Sequence, residues 1–174
     1  MSEGSRGTVP RALVAVLGGI VAILAVTALV LGIFRLIRGD SGLSGLGKAE
    51  QTALAAAKQE TINIQTYRLK TFDQDFAAAV VGMTPDKAAE WQARKKDLKD
   101  AITRLKQDGA ATVSGAGLQS FNGKSAVVLV SSDSQRVDQA TSKSTTFAQN
   151  RFQVTMQQVG GKWLMSDLQA VSLS

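Results

Sequence analysis

Arg151-Phe152-Gln153-Val154-Thr155-Met156-Gln157-Gln158-Val159-Gly160-Gly161-Lys162-Trp163-Leu164-Met165-Ser166-Asp167-Leu168 is the stretch whose reading decides the fold. Phe152, Val154 and Met156 alternate with Arg151, Gln153, Thr155 and Gln157, so an extended chain here has one apolar and one polar face. Gly160-Gly161 supplies the backbone freedom of a tight hairpin turn, which predicts paired strands over 147–159 and 162–173. Upstream, Asn122-Gly123 marks a second hairpin between strands 112–121 and 124–131. Within the latter, Ala126-Val127-Val128-Leu129-Val130 has no polar member, which predicts a central strand buried on both sides. The polar run 132–144 reads as a loop. Four strands joined by short turns make an antiparallel meander.

On the N-terminal side of Gly109 the period changes from two to between three and four. Leu54, Ala57, Ile64, Phe72, Phe76, Ala79 and Val80 predict one long helix over 48–81, ended by Gly82. Thr84-Pro85-Asp86 restarts a helix over 85–107: Thr84 suits the cap, Pro85 the first turn, and Asp86 the positive end of the dipole. Trp91, Leu98, Ile102 and Leu105 form its apolar stripe. Two helices followed by four antiparallel strands define an α+β domain over 48–174, a helical hairpin packed on a curved sheet.

Before this domain, Gly39 to Gly47 is a glycine- and serine-rich linker, and residues 1–11 form a short polar tail. Between them, residues 12–38 comprise a membrane anchor and its basic flank. The 23 residues Ala12–Phe34 carry no charge and only one polar side chain, Thr27. As a helix they rise about 35 Å, enough for a hydrocarbon core about 30 Å thick. A cleaved signal has a shorter apolar core and a small-residue cleavage site, whereas this run ends in Phe34-Arg35-Leu36-Ile37-Arg38. Ala15, Gly18, Gly19 and Ala22 set small residues four apart, a spacing that permits close helix packing in a bilayer. Arg6 and Arg11 nearly balance Arg35 and Arg38. The short tail therefore favours a cytoplasmic N-terminus, with the C-terminal domain extracytoplasmic and the whole a single-pass plasma-membrane protein.

The chemistry available is narrow. The chain has no histidine and no cysteine, which removes the usual general base, thiol nucleophile, disulfides and most zinc ligand sets. Asp73 and Asp75 lie two apart on a helix and point away from each other. No catalytic, cofactor or metal residues are assigned, and the reading is non-enzymatic. Net charge is +6, but from Gln51 onward 15 basic and 11 acidic side chains leave +4, with no aromatic-lined basic stripe for nucleic acid. Arg94-Lys95-Lys96 sits among acids, with Glu90–Arg94 and Asp100–Arg104 at the favourable spacing of four, and reads as a salt-bridged solvent face. The alternative is an anionic-headgroup or partner face built from Arg94, Lys95 and Lys99, since basic faces are drawn to anionic lipid.

An N-terminal anchor, then Tyr67-Arg68-Leu69-Lys70-Thr71-Phe72-Asp73-Gln74-Asp75, Gly82-Met83-Thr84, and the closing strand, Gly-Gly turn and Trp163-Leu164-Met165-Ser166-Asp167-Leu168 resemble the actinobacterial Mce-associated membrane proteins. The resemblance spans roughly Lys48 to Val171 through diffuse, structural motifs. It implies an NTF2-like or VirB8-like cone and a scaffold role in a lipid- or sterol-transporting envelope complex, with Mce proteins and their permease as partners. Members often carry Thr-Gly-aromatic where this chain has Thr84-Pro85-Asp86, so the surface at that loop departs from theirs. Two other readings follow from the implied fold. One is a VirB8-like component of a conjugation or type IV secretion channel; the other is a membrane-tethered lipid-binding domain with Trp91, Phe121, Phe152 and Trp163 around an apolar pocket. For topology, alkaline phosphatase fused after Ser174 is expected to be active and a fluorescent protein that folds only in the cytoplasm to stay dark; the opposite pattern inverts the orientation.

Overall fold

The computed structural model describes residues 45–141 and 143–171. The expected anchor, with Ala15, Gly18, Gly19 and Ala22, lies outside them, as does most of the linker. Among the described residues no helix is long and apolar enough to cross a membrane.

The element order is α1 (Lys48–Gln65), a 3-10 turn (Leu69–Thr71), α2 (Phe72–Val81), α3 (Pro85–Leu105), β1 (Gln107–Phe121), β2 (Ser125–Asp138), β3 (Ser144–Val159) and β4 (Lys162–Ala170). The four strands form one antiparallel sheet in sequence order. Gly160 and Gly161, with φ of 56° and 79°, make the β3–β4 turn. In the β1–β2 turn the Asn122 side chain accepts from the amides of Lys124 and Ser125. Register shifts interrupt all three strand pairs. Each extra residue bends its strand and strengthens the twist, so the sheet curves around what lies in its hollow.

That occupant is α1, which packs against all four strands. Ala53 and Ala57 have no exposed surface, and with Leu54 they meet Ala126, Val128 and Val130 of β2, Val154 and Met156 of β3, and Met165 of β4. Burying Val- and Met-sized side chains stabilises by roughly 1.5–3 kcal/mol each. A second, smaller cluster joins Phe72 and Phe76 of α2 to Ile102 of α3.

Three expectations are corrected. The single helix over 48–81 is two helices, because the chain extends at Thr66–Arg68. Tyr67 there exchanges two backbone hydrogen bonds with Gly109, at 3.0 and 2.8 Å. Two carboxylates take the amides of the break: Asp75 accepts from Arg68 N at 2.9 Å and Asp108 from Leu69 N at 2.9 Å. The apolar stripe runs straight through this break, so periodicity alone does not reveal it. The polar run 132–144 is largely strand, with β2 continuing to Asp138 and β3 starting at Ser144. Gln65, beyond which no helix covers the sheet, bonds to Ser132 and Asn150, so polar residues line the hollow there. Finally, β2 is buried on one side only. Val128 is fully buried while Leu129 is 44% exposed, because the described helices lie on the other face.

Both sheet edges are partly closed by the helix connections. Tyr67 bridges to Gly109 at the start of β1, and Met83 bridges in parallel to Met165 on β4. Thr84 starts α3 as expected but makes no side-chain cap; its amide instead donates to Met165 O at 2.9 Å. Tyr67 also lays its ring on Gly109, where an added Cβ would sit 2.5 Å from Cε1. Gly109→Ala is therefore expected to destabilise by about 1–3 kcal/mol in urea titration, while Gly117→Ala, whose Cβ meets nothing within 4 Å, changes stability far less.

Candidate functional site: a lysine clamp and a buried acid

The basic face expected on α3 divides in two. Lys95 and Lys99 converge on one carboxylate, Asp73 of α2, at 2.9 and 2.6 Å. Their ammonium groups also lie 5.3 Å from the Phe76 ring centre and 5.7 Å from that of Phe72. The hydrogen bonds from Lys99 and Lys95 hold the Asp73 carboxyl down to about 2. This clamp ties α3 to α2 over the aromatic pair. Arg94 is exposed and joins no part of the clamp. The acids expected to pair with Arg94 and Arg104 bond backwards instead, Glu90 with Lys87 at 2.8 Å and Asp100 with Lys96 at 2.6 Å.

The four aromatics read as a pocket lining, Trp91, Phe121, Phe152 and Trp163, are half-buried and pack against the main core cluster. Phe121 contacts Trp163 at one end of the sheet, with ring centres 5.7 Å apart. Trp91 stands 6.4 Å from Phe76 under the helical hairpin. A cavity of about 220 Å³ opens elsewhere, past the end of α1, and its lining is mixed: Ile64, Tyr67 and Gly109 together with Gln65, Ser134, Arg136 and Asn150. Gln65 anchors that wall by donating to Ser132 Oγ at 3.0 Å and accepting from Asn150 Nδ2 at 3.1 Å.

The residue the sequence reading passed over is Glu60. It is 3% exposed in α1, and its Oε1 has no hydrogen-bond partner in the structure. Asn63 Nδ2 donates to Oε2 at 3.1 Å. The carboxylate lies against Gly82, where a Cβ would fall inside it. Burial pushes the Glu60 carboxyl up to about 8, with the Asn63 bond opposing part of that rise. Its position was legible: Ala53, Ala57, Glu60 and Ile64 step by four, three and four, which puts an acid inside the apolar stripe. Among the described residues there is no group of three or more acidic side chains arranged to hold a metal ion.

Comparison with solved structures finds domains of the same architecture. The periplasmic domain of DotI matches with a TM-score of 0.60 at 16% identity, over 74% of this chain and 99% of that one. A periplasmic fragment of TraM matches at 0.57 and 14% identity, over 73% and 100%. CagV of Helicobacter pylori, a VirB8 homologue of a type IV secretion system, matches at 0.53 and 10% identity, over 69% and 99%. The fold is thus the VirB8-like α+β cone, and at these identities the likeness concerns fold alone. By sequence the chain belongs to the family described as uncharacterized protein Rv1363c/MT1408-like, whose pattern matches residues 11–172. Two Mycobacterium tuberculosis proteins, both uncharacterized, are similar to it. Rv1363c is 29% identical over 147 residues, 78% of this chain and 56% of that protein. Rv1362c is 31% identical over 119 residues, 68% and 54%. The chain thus spans a little over half the length of these relatives.

Glu60 gives the domain a pH signature. The folded state holds a proton that the unfolded chain releases above its ordinary carboxyl range, so this contribution is complete below about pH 4.5 and is lost as pH rises toward 8. Unfolding free energy is expected to fall by up to about 1.4 kcal/mol per pH unit across that window. Glu60→Gln should flatten the profile; an equally steep slope in the variant assigns the proton elsewhere.

Proposed function

We propose that this chain is a non-enzymatic, membrane-anchored accessory protein that docks its extracytoplasmic cone onto other subunits of a cell-envelope assembly, an Mce-type lipid or sterol transport complex. The observation that carries the docking role is the outer face of the sheet. It bears Gly115 and Gly117, where a Cβ would meet nothing within 4 Å, beside Leu129, which is 44% exposed. Arg151 and Gln153 of β3 stand on the same face, paired with Ser131 and Leu129, and an exposed leucine rimmed by polar side chains suits contact with a protein surface better than small-molecule chemistry. The anchor expected over 12–38 supplies the attachment to the bilayer. The choice of an Mce-type assembly is supported by the resemblance of the closing strands and of the 67–75 segment to Mce-associated membrane proteins.

A second reading is a structural component of a conjugation or type IV secretion channel. It is favoured by the shared fold with DotI, TraM and CagV domains. The two readings share a mode of action and differ in partner. A third, lipid carriage by the domain itself, has less support, because the aromatics invoked for it pack against the filled core.

The deciding experiment is affinity purification of the tagged full-length protein from its native host in mild detergent, with bound proteins identified by mass spectrometry. Recovery of Mce substrate-binding chains with their permease is the expected result, and Leu129→Arg is expected to abolish it without lowering the thermal midpoint of the domain. Recovery of conjugation ATPases or channel subunits supports the second reading. A protein that carries lipid and brings down no subunit overturns both.

A further inference from the structure

Three backbone segments meet at Gly82, Met83 and Thr84. Gly82 ends α2, Thr84 begins α3, and between them the chain runs as a strap along the edge of β4. Met165 N donates to Gly82 O at 2.8 Å and Thr84 N donates to Met165 O at 2.9 Å. Met83 and Thr84 are 3% and 7% exposed, so the strap is part of the core and not a surface loop. On its other side lies the Glu60 carboxyl, seated where any residue but glycine would place a Cβ.

We propose that Glu60 is a proton-operated latch: while its carboxyl is neutral the Gly82–Thr84 strap lies closed on the edge of β4, and loss of the proton releases the strap. A neutral acid fits the apolar wall of α1. An ionised one there has one donor, Asn63, on Oε2 and none on Oε1, an arrangement that penalises a buried charge heavily. Lifting the strap lets water reach the carboxylate, because Gly82 lies directly against it and presents no side chain to be moved aside. Opening also frees the Met165 amide and uncovers Met83, so the latch controls access to one edge of the sheet.

The surrounding charges leave Glu60 to act alone. On α2 the ionisable groups are Asp73, engaged by Lys95 and Lys99, and Asp75, engaged by Arg68. At the start of α3 stand Asp86 and Lys87, the latter paired with Glu90 and with Asp167 of β4. Lys162 is the other charge on β4, and Arg136 of β2 lies at the far end of α1 beside the cavity there. The strand residues packed on the apolar stripe of α1, such as Val128, Val154 and Met165, are uncharged. The ionisation of Glu60 is set by burial and by Asn63, with no contribution from any of these charges. In the open state the carboxyl returns to its ordinary range near 4.5. One proton then links opening to pH, and the open-to-closed ratio rises about tenfold per pH unit between the two values.

Residue-resolved hydrogen exchange on the full-length protein in detergent, from about pH 5 to about pH 7.5 and corrected for base catalysis, reads this ratio. Protection of the Thr84 and Met165 amides is expected to fall about tenfold per pH unit, ahead of the central-strand amides of Val128 and Val154. In Glu60→Gln the same two amides should stay protected throughout. Gly82→Ala should leave them exchanging fast at every pH, and adding Glu60→Ala to that variant should restore protection by vacating the space. The latch is overturned by flat protection in the wild type, by an unchanged slope in Glu60→Gln, or by strap amides that exchange only together with Val128 and Val154.

Discussion

Ala53 and Ala57 set the distance between α1 and the sheet, and the rest of the domain is arranged around that separation. With nothing beyond Cβ at either position, the helix backbone lies close against Val128, Val130, Val154 and Met156. Interiors are packed to crystal-like density, so a longer side chain at these sites would move the helix and not merely fill a gap. The consequences extend past the core. The segment leaving α1 at Thr66 arrives at the right height to pair with Gly109, and Glu60 arrives at the depth where only Gly82 can face it. A helix held further from the sheet would break both relationships together.

The helical hairpin α2–α3 is held by weaker and more local forces. Its clamp is one carboxylate shared by two lysines whose stems cover the rings of Phe72 and Phe76. Such exposed pairs contribute little individually, and the partly desolvated cation–aromatic contacts add roughly 0.5–1 kcal/mol each. The hairpin is therefore the less firmly attached layer, and the strap that leads into it is held to β4 by two backbone hydrogen bonds. An element with few anchoring contacts is the kind that opens locally before the whole domain unfolds.

The sheet has two unlike faces and two unlike ends. Its inner face is apolar under α1 and turns polar past Gln65, where Ser132, Ser134 and Asn150 complete one another's hydrogen bonds. A satisfied polar network fixes register where alternation of apolar residues no longer does. No described helix covers the outer face, and at Gly115 and Gly117 the backbone there is left open. A VirB8 homologue of a type IV secretion system shares this architecture, while the sequence places the chain in the Rv1363c/MT1408-like family. A shared fold does not fix a shared function, which is decided by the residues a surface presents.

The strand order, the two glycine-bearing hairpins and the α+β class were legible because each rests on short-range signals: alternation, turn chemistry and a change of period near Gly109. The acid at Glu60 was legible in principle as a charge within an apolar stripe. The break at Thr66–Arg68 was not, because the stripe continues across it and the hydrogen bonds that stop the helix come from Gly109, Asp75 and Asp108, residues adjacent only in space. The same is true of Leu129, whose neighbours in sequence read as core but whose side of the sheet no described helix covers. The fate of Lys95 and Lys99 turned on where α2 set Asp73. What the sequence by itself determined is the set of elements and their order, since local backbone preference and side-chain period are properties of neighbouring residues. Where a helix stops, which face of a strand is wet and which charge meets which were decided only by tertiary structure, because each depends on partners that folding brings together.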